Sequence, residues 1–245
     1  MKIGLLICGD VSNTLKNIYG TYSNCLAREF GLINDNELSI WNAHKYELPS
    51  SVNQCDVYII SGSPSSVYDE ESWIDSLILF TQKAFRNGKK LIGICFGHQL
   101  INYALGGSVT RSINGWGLGV YSTTVYQNFL ELRQGEKLSL FAMHQDQVIR
   151  PAKAFEIIAG NHFCPNYMTR FQNQVLTMQG HPEFNAQFFL ALLQETRQKY
   201  NEHTMSNAIA TSKISVDNMM FNKLVSQFIT NISDTKYEEI IEVCG

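Results

Sequence analysis

From Ile3 to Leu105 the chain alternates short apolar runs with amphipathic helical stripes. That alternation restricts it to a parallel sheet covered by helices on both faces. Residues 2–8 read as a first buried strand, and Tyr22, Leu26 and Phe30 form a helical stripe that stops at Gly31. Leu38–Trp41 and Val57–Ile60 are two further strands, the second running into the turn-rich loop Ser61-Gly62-Ser63-Pro64-Ser65-Ser66. Ser72-Trp73-Ile74-Asp75 reads as a capping box with Asp75 in place of the usual Glu or Gln. Trp73, Leu77, Phe80 and Ala84 then mark a helix that ends at Asn87-Gly88. A fourth strand leads into Cys95, and a helix runs from there to Leu105 and Gly106-Gly107.

Beyond Gly107 the pattern becomes β-rich, with strands expected at Val109–Arg111, Leu118–Tyr126, Leu138–Met143 and Gln174–Gln179. The expected fold is therefore α/β: a mostly parallel central sheet with helices on both faces, plus a small antiparallel β-rich region. Asn185–Tyr200 reads as a helix with Phe188, Leu192 and Leu193 on its apolar side. Asn201–Ser215 is polar and weakly periodic, which predicts a linker. Met220, Leu224 and Phe228 at i, i+4 and i+8 predict one more helix, either a cap on the domain or an oligomer contact.

Composition narrows the function classes. The 245 residues are 44% hydrophobic and carry a formal charge of −3, without the basic footprint that nucleic acid requires. No uninterrupted apolar stretch reaches about 18 residues, so no membrane span is expected. The apolar run behind Lys2 is too short for a secretion signal. Six cysteines (8, 25, 55, 95, 164 and 244) include no Cys-x-x-Cys pair, so neither a metal site nor a redox dithiol is indicated. Reduced thiols in a cytoplasmic protein are the expectation, with no cofactor.

The chemistry concentrates in two motifs. In Gly93-Ile94-Cys95-Phe96-Gly97-His98-Gln99 a thiol stands at a strand-to-helix junction between two glycines. Gly-x-Cys-x-Gly matches a nucleophile elbow with sulfur in place of the hydroxyl, and the helix N-terminus behind it favours a thiolate. By itself the pattern leaves Cys95 as either a buried core thiol or a nucleophile. The second motif is Gln179-Gly180-His181-Pro182-Glu183-Phe184, also after a strand. Proline pushes the residue before it towards extended backbone. Residues two apart then share one side, so His181 and Glu183 can face one cleft. Acyl chemistry at sulfur also needs donors for a developing oxyanion. The N–H of Phe96 is one candidate, and the loop Gly62-Ser63-Pro64 can bring a second.

With these residues in place, the chain resembles the class I glutamine amidotransferases, the family with a Cys-His-Glu triad on a flavodoxin-like sheet. The resemblance is dense from residue 2 to about 200. It is most specific at Gly93–Gln99 and Gln179–Glu183. Within the family the chain is most similar to the free-standing branch that includes the plant γ-glutamyl peptidases. Shared features there are Cys8-Gly9-Asp10, Tyr19-Gly20-Thr21-Tyr22, Ser61-Gly62-Ser63, Trp73-Ile74, Gly115–Val120 and His144–Val148. The resemblance implies a domain over 1–200, with 201–245 as linker and C-terminal helical extension. It implies that Cys95 attacks the amide carbonyl of a γ-glutamyl group, that His181 serves as acid and base, and that Glu183 orients His181. It places the oxyanion donors on the N–H groups of Ser63 and Phe96, and the glutamyl contacts on Gly62, Gln99, His144 and Gln145. Domains of the GMP-synthetase type have glycine where Ser63 stands, so the pocket wall is altered here.

Other residues read as structural. His98 is expected to pack or hydrogen-bond beside the elbow, Trp116 to pack, and the five remaining cysteines to be inert. Three functional readings follow: a self-contained hydrolase of glutamine or γ-glutamyl peptides, a glutaminase subunit that delivers ammonia to a separate synthetase partner, and a silent binding protein of the same fold.

Overall fold

The computed structural model describes residues 1–32 and 37–231. β1 (Ile3–Leu6) is followed by α1 (Asn13–Tyr19), α2 (Tyr22–Glu29), β2 (Leu38–Trp41), β3 (Val57–Ile60), α3 (Ser72–Arg86), β4 (Lys90–Ile94) and α4 (Phe96–Ala104). Next come β5 (Ser108–Arg111), β6 (Gly117–Val125), β7 (Lys137–His144), β8 (Asp146–Arg150), β9 (Glu156–Gly160), β10 (Met168–Phe171) and β11 (Val175–Met178). After β11 come α5 (Ala186–Glu195), α6 (Glu202–Thr211) and α7 (Asn218–Thr230).

Among the described residues, nine strands form one sheet in the order β2-β1-β3-β4-β11-β10-β9-β6-β7. The part from β2 to β11 is parallel, and β10, β9, β6 and β7 continue it antiparallel. The β-rich stretch of the sequence thus extends the central sheet, while β5 and β8 form a separate antiparallel ribbon. Side chains alternate between the two faces, as strand geometry demands. Leu5, Val57, Ile59, Ile92 and Ile94 pack under α2, α5 and α7, whereas Leu6, Tyr58, Ile60 and Leu91 pack under α3 and α4.

Three local expectations are corrected. Residues 201–215 are not a linker: Glu202–Thr211 is the helix α6, capped by the Asn201 side chain on the Thr204 N–H. It packs by close approach of small residues rather than by an apolar stripe. A Cβ on Gly119 of β6 would lie 2.1 Å from Thr211 Oγ1 and 3.0 Å from Ala208 Cα. Thr211 Oγ1 also accepts from the Val120 N–H. The capping box at Ser72 does not form: Ser72 is already helical, the cap position is Glu71, and no side chain caps it. The Glu71 carboxylate is engaged instead by the indole N–H of Trp73 and the hydroxyl of Ser65. In α7 the buried face is Phe221, Leu224, Val225 and Phe228, and Met220 is partly exposed. That face joins the same core as α2 and α5, and Lys90 Nζ caps the end of the helix by donating to the carbonyls of Phe228, Ile229 and Asn231. Cys244 lies outside the described residues.

Candidate active site

Strand register assembles the site. Ile60, Gly93 and Ile94 sit at the carboxyl ends of neighbouring parallel strands, with Ile60 opposite Gly93 and Ile94 opposite Met178. Extending each strand past its end therefore gathers Ser61-Gly62-Ser63, Cys95 and Gln179-Gly180-His181 at one edge of the sheet. This is where open α/β sheets bind their ligands.

Cys95 is the elbow between β4 and α4, with φ 52° and ψ −102°. A non-glycine residue in that region costs about 1–3 kcal/mol and persists only where its surroundings enforce it. The enforcement is visible. The Cys95 N–H donates to the Met178 carbonyl at 2.8 Å, and the Gly97 N–H donates to the Ser61 carbonyl at 3.1 Å. A Cβ on Gly93 would lie 2.5 Å from the Gly97 carbonyl oxygen, and one on Gly97 would lie 2.1 Å from that of Ile60. Both glycines of the motif are therefore steric requirements of the turn.

His181 is pinned from several sides. Its backbone N–H donates to the Phe141 carbonyl of β7 at 2.8 Å, and its ring stacks on Phe184 at 4.1 Å between centroids and 9° between planes. Nδ1 pairs with Glu183 Oε1 at 2.6 Å, leaving Nε2 for the Cys95 side of the ring. Burial opposes the imidazolium, but the Glu183 carboxylate and Cys95 outweigh it, and the His181 pKa is pushed up to about 10. Glu183 is itself buried behind the ring and also accepts from the Tyr22 hydroxyl at 2.6 Å.

Cys95, His181, Gly62, Ser63, Gln99, His144 and Gln145 line one cleft of about 470 Å³. The N–H groups of Ser63 and Phe96 have no hydrogen-bond partner among the described residues, while the Phe96 ring points into the core against Trp73. Gln99 donates through Nε2 to the Asp146 carbonyl at 2.8 Å and to Gln179 Oε1 at 3.1 Å. Only its Oε1 remains for a ligand. His144 donates from Nδ1 to the Asp146 carbonyl; burial first and the nearby His181 second hold its pKa down at about 4, so the ring is neutral. His98 is buried against Thr177 with its pKa depressed to about 3 by burial, a structural histidine as expected.

A family model for glutamine amidotransferase class-I matches residues 14–193. The chain belongs to that family. Among curated relatives of this class I amidotransferase, gamma-glutamyl peptidase 2 of Arabidopsis thaliana is 30% identical over 191 residues, 74% of this chain and 75% of that protein. Gamma-glutamyl peptidase 3 of the same plant is 26% identical over 243 residues, 93% and 96% of the two chains. A solved glutamine amidotransferase from Thermotoga maritima superposes with a TM-score of 0.71 at 16% identity, covering 93% of this chain and 96% of that one, which shows the common fold.

Several contacts around the amidotransferase cleft were not foreseen from sequence. Gln179 Nε2 reaches Cys95 Sγ at 3.5 Å. Ser66 and Tyr68 donate to the Asp146 carboxylate and so tie the loop after β3 to the segment carrying His144 and Gln145. Trp116 does pack, edge-on to Tyr200 at 4.9 Å, but both rings also line the cleft with Phe188 and Leu192. Tyr22 enters the sequence reading as a member of an apolar stripe and of the shared stretch Tyr19–Tyr22, with no role given to its hydroxyl. A buried phenol needs a partner for its hydroxyl, which is the one signal that could have marked it.

Proposed function

We propose that this chain is a cysteine-dependent hydrolase of γ-glutamyl amide bonds. The observation that carries the reading is the strained elbow at Cys95 facing a buried His181–Glu183 pair across one cleft. In the proposed reaction the Cys95 thiolate attacks the γ-carbonyl carbon, and the oxygen takes the negative charge. The free N–H groups of Ser63 and Phe96 meet that oxyanion; removing one such donor typically costs on the order of 10²–10³ in rate. His181 then gives its proton to the departing nitrogen as the C–N bond breaks, which leaves a γ-glutamyl thioester and neutral imidazole. The imidazole takes a proton from water, the hydroxide attacks the thioester, and the C–S bond breaks to regenerate the thiolate and release the γ-carboxylic acid, which gives its proton to the freed amine in solution and leaves as the carboxylate. Glu183 holds the Nδ1 proton throughout.

The cleft lies within the roughly 300–1,000 Å³ typical of small-molecule sites. Its wall of Phe188, Leu192, Trp116 and Tyr200 supports a leaving amine larger than ammonia. A γ-glutamyl peptide is therefore the preferred substrate class, with glutamine second. The test is glutamate release by the purified chain from glutamine, glutathione and γ-glutamyl dipeptides, side by side with Cys95→Ser. Turnover by the chain alone, abolished in the variant, is expected. Silence on every substrate, or turnover retained by Cys95→Ser, contradicts the proposal.

A further inference from the structure

We infer that Tyr22 is a positioning residue that acts through Glu183 to fix the orientation and charge environment of His181. The inference rests on the proposed catalytic reading of Cys95, His181 and Glu183. Oε1 of Glu183 accepts two hydrogen bonds, from His181 Nδ1–H and from the Tyr22 hydroxyl, each at 2.6 Å. Oε2 is buried and has no partner among the described residues. An ionised carboxylate offers about four acceptor sites over two oxygens. Here both donors converge on one oxygen, so the Tyr22 hydroxyl is what distinguishes Oε1 from Oε2 and stops the carboxylate from turning.

Tyr22 is in turn held in place. It opens α2 directly after Thr21, whose hydroxyl caps the Asn24 N–H, and its ring is buried in the core. Gly62 lies against the same phenolic oxygen. A Cβ on Gly62 would lie 2.9 Å from that oxygen, 3.1 Å from His181 Cε1 and 3.8 Å from Cys95 Cβ. Phenol, imidazole and nucleophile therefore enclose a single point at the cleft floor. Burial, and then the Glu183 charge, hold the phenol proton well above its ordinary range, so Tyr22 remains a donor across the working range.

The charge consequence has a definite sign. A donor on Oε1 draws off negative charge that would otherwise face the imidazolium. Without it His181 keeps its proton to higher pH. The other titratable groups facing this pair are Cys95 at the elbow, Cys25 on α2, His144 at the end of β7 and Tyr167 before β10. Among the described residues, Glu183 hydrogen-bonds only to His181 and Tyr22.

The experiment measures carboxymethylation of Cys95 by iodoacetate against pH in wild type, Tyr22→Phe, Glu183→Ala and the double variant. Iodoacetate is an anion, so its rate falls once the imidazolium loses its proton. In Tyr22→Phe this descending limb should move up by about half a pH unit or more, and the shift should vanish in the Glu183→Ala background. With a γ-glutamyl substrate, kcat should fall about 10-fold while KM stays within about 2-fold. Superimposable limbs for wild type and Tyr22→Phe, or the same shift with and without Glu183, overturn the inference. Absence of wild-type turnover overturns the proposed function instead, because the alkylation limbs report on Tyr22 without any turnover.

Discussion

A Cβ placed on Gly97 would lie 2.1 Å from the carbonyl oxygen of Ile60, so the first turn of α4 rests on the end of β3 with no room for a side chain. The contact does two things at once. It fixes the angle at which Cys95 leaves the sheet, and it brings the loop Gly62-Ser63 beside the elbow.

Gly97→Ala should accordingly disrupt the elbow. Neither the helix nor the strand backbone can yield by that distance without losing the Gly97–Ser61 hydrogen bond. Overpacking of this kind costs about 1–3 kcal/mol, and the lost bond adds to it. Urea unfolding should show a midpoint well below wild type, together with slower alkylation of Cys95. An unchanged midpoint would mean that the helix tolerates displacement from β3.

Glu183→Gln should impair turnover less than His181→Ala. Glutamine can still accept the Nδ1–H bond, but it brings no charge to hold the imidazolium. Loss of the imidazole removes an acid-base role typically contributing on the order of 10²–10⁴ in rate. Steady-state kinetics on one γ-glutamyl substrate should therefore rank wild type, Glu183→Gln and His181→Ala in that order. Equal rates for all three would separate both residues from the chemistry of Cys95.

The pH dependence follows from His181. Its pKa is raised from the ordinary 6.5 to about 10, so between these values the ring stays cationic where an ordinary histidine would be neutral. The imidazolium is thus available to anionic reagents throughout the neutral range and lost as pH rises through about 10. Iodoacetate should react with Cys95 without a drop in rate near pH 6.5, falling only near pH 10. A descending limb centred near 6.5 would show that Glu183 and Cys95 do not hold the proton on His181.

The elbow was legible because its geometry is encoded locally, whereas His181 and Glu183 meet in another way than the extended segment expected. Residues 181–184 turn, with the Phe184 N–H on the His181 carbonyl at 3.3 Å, and the turn sets the Glu183 carboxylate behind the ring on Nδ1. Glycines two residues on either side of Cys95 permit a turn that other residues would block. The parallel part of the sheet was legible for a similar reason, since its strands are continuous apolar runs buried on both faces. What escaped depends on partners distant in sequence. α1 buries only Leu15, and α6 buries only Ala208 against Gly119, so neither carries a stripe that periodicity can detect. Ser72 has the residue type of a cap, yet the chain enters the helix one residue earlier. Tyr22 reads as apolar because its ring buries like that of a phenylalanine, while its hydroxyl finds Glu183 from 161 residues away.

The central claim is that Cys95 is the nucleophile, and it can be tested by labelling. A diazo-ketone analogue of glutamine presents an electrophile where the γ-carbonyl would sit. Incubation of the native chain, followed by proteolysis and mass mapping, should place one adduct on the peptide containing Cys95 among the six cysteines, with excess substrate slowing its formation. An adduct found mainly on Cys8, Cys25, Cys55, Cys164 or Cys244, or labelling of Cys95 that substrate does not slow, would contradict the account.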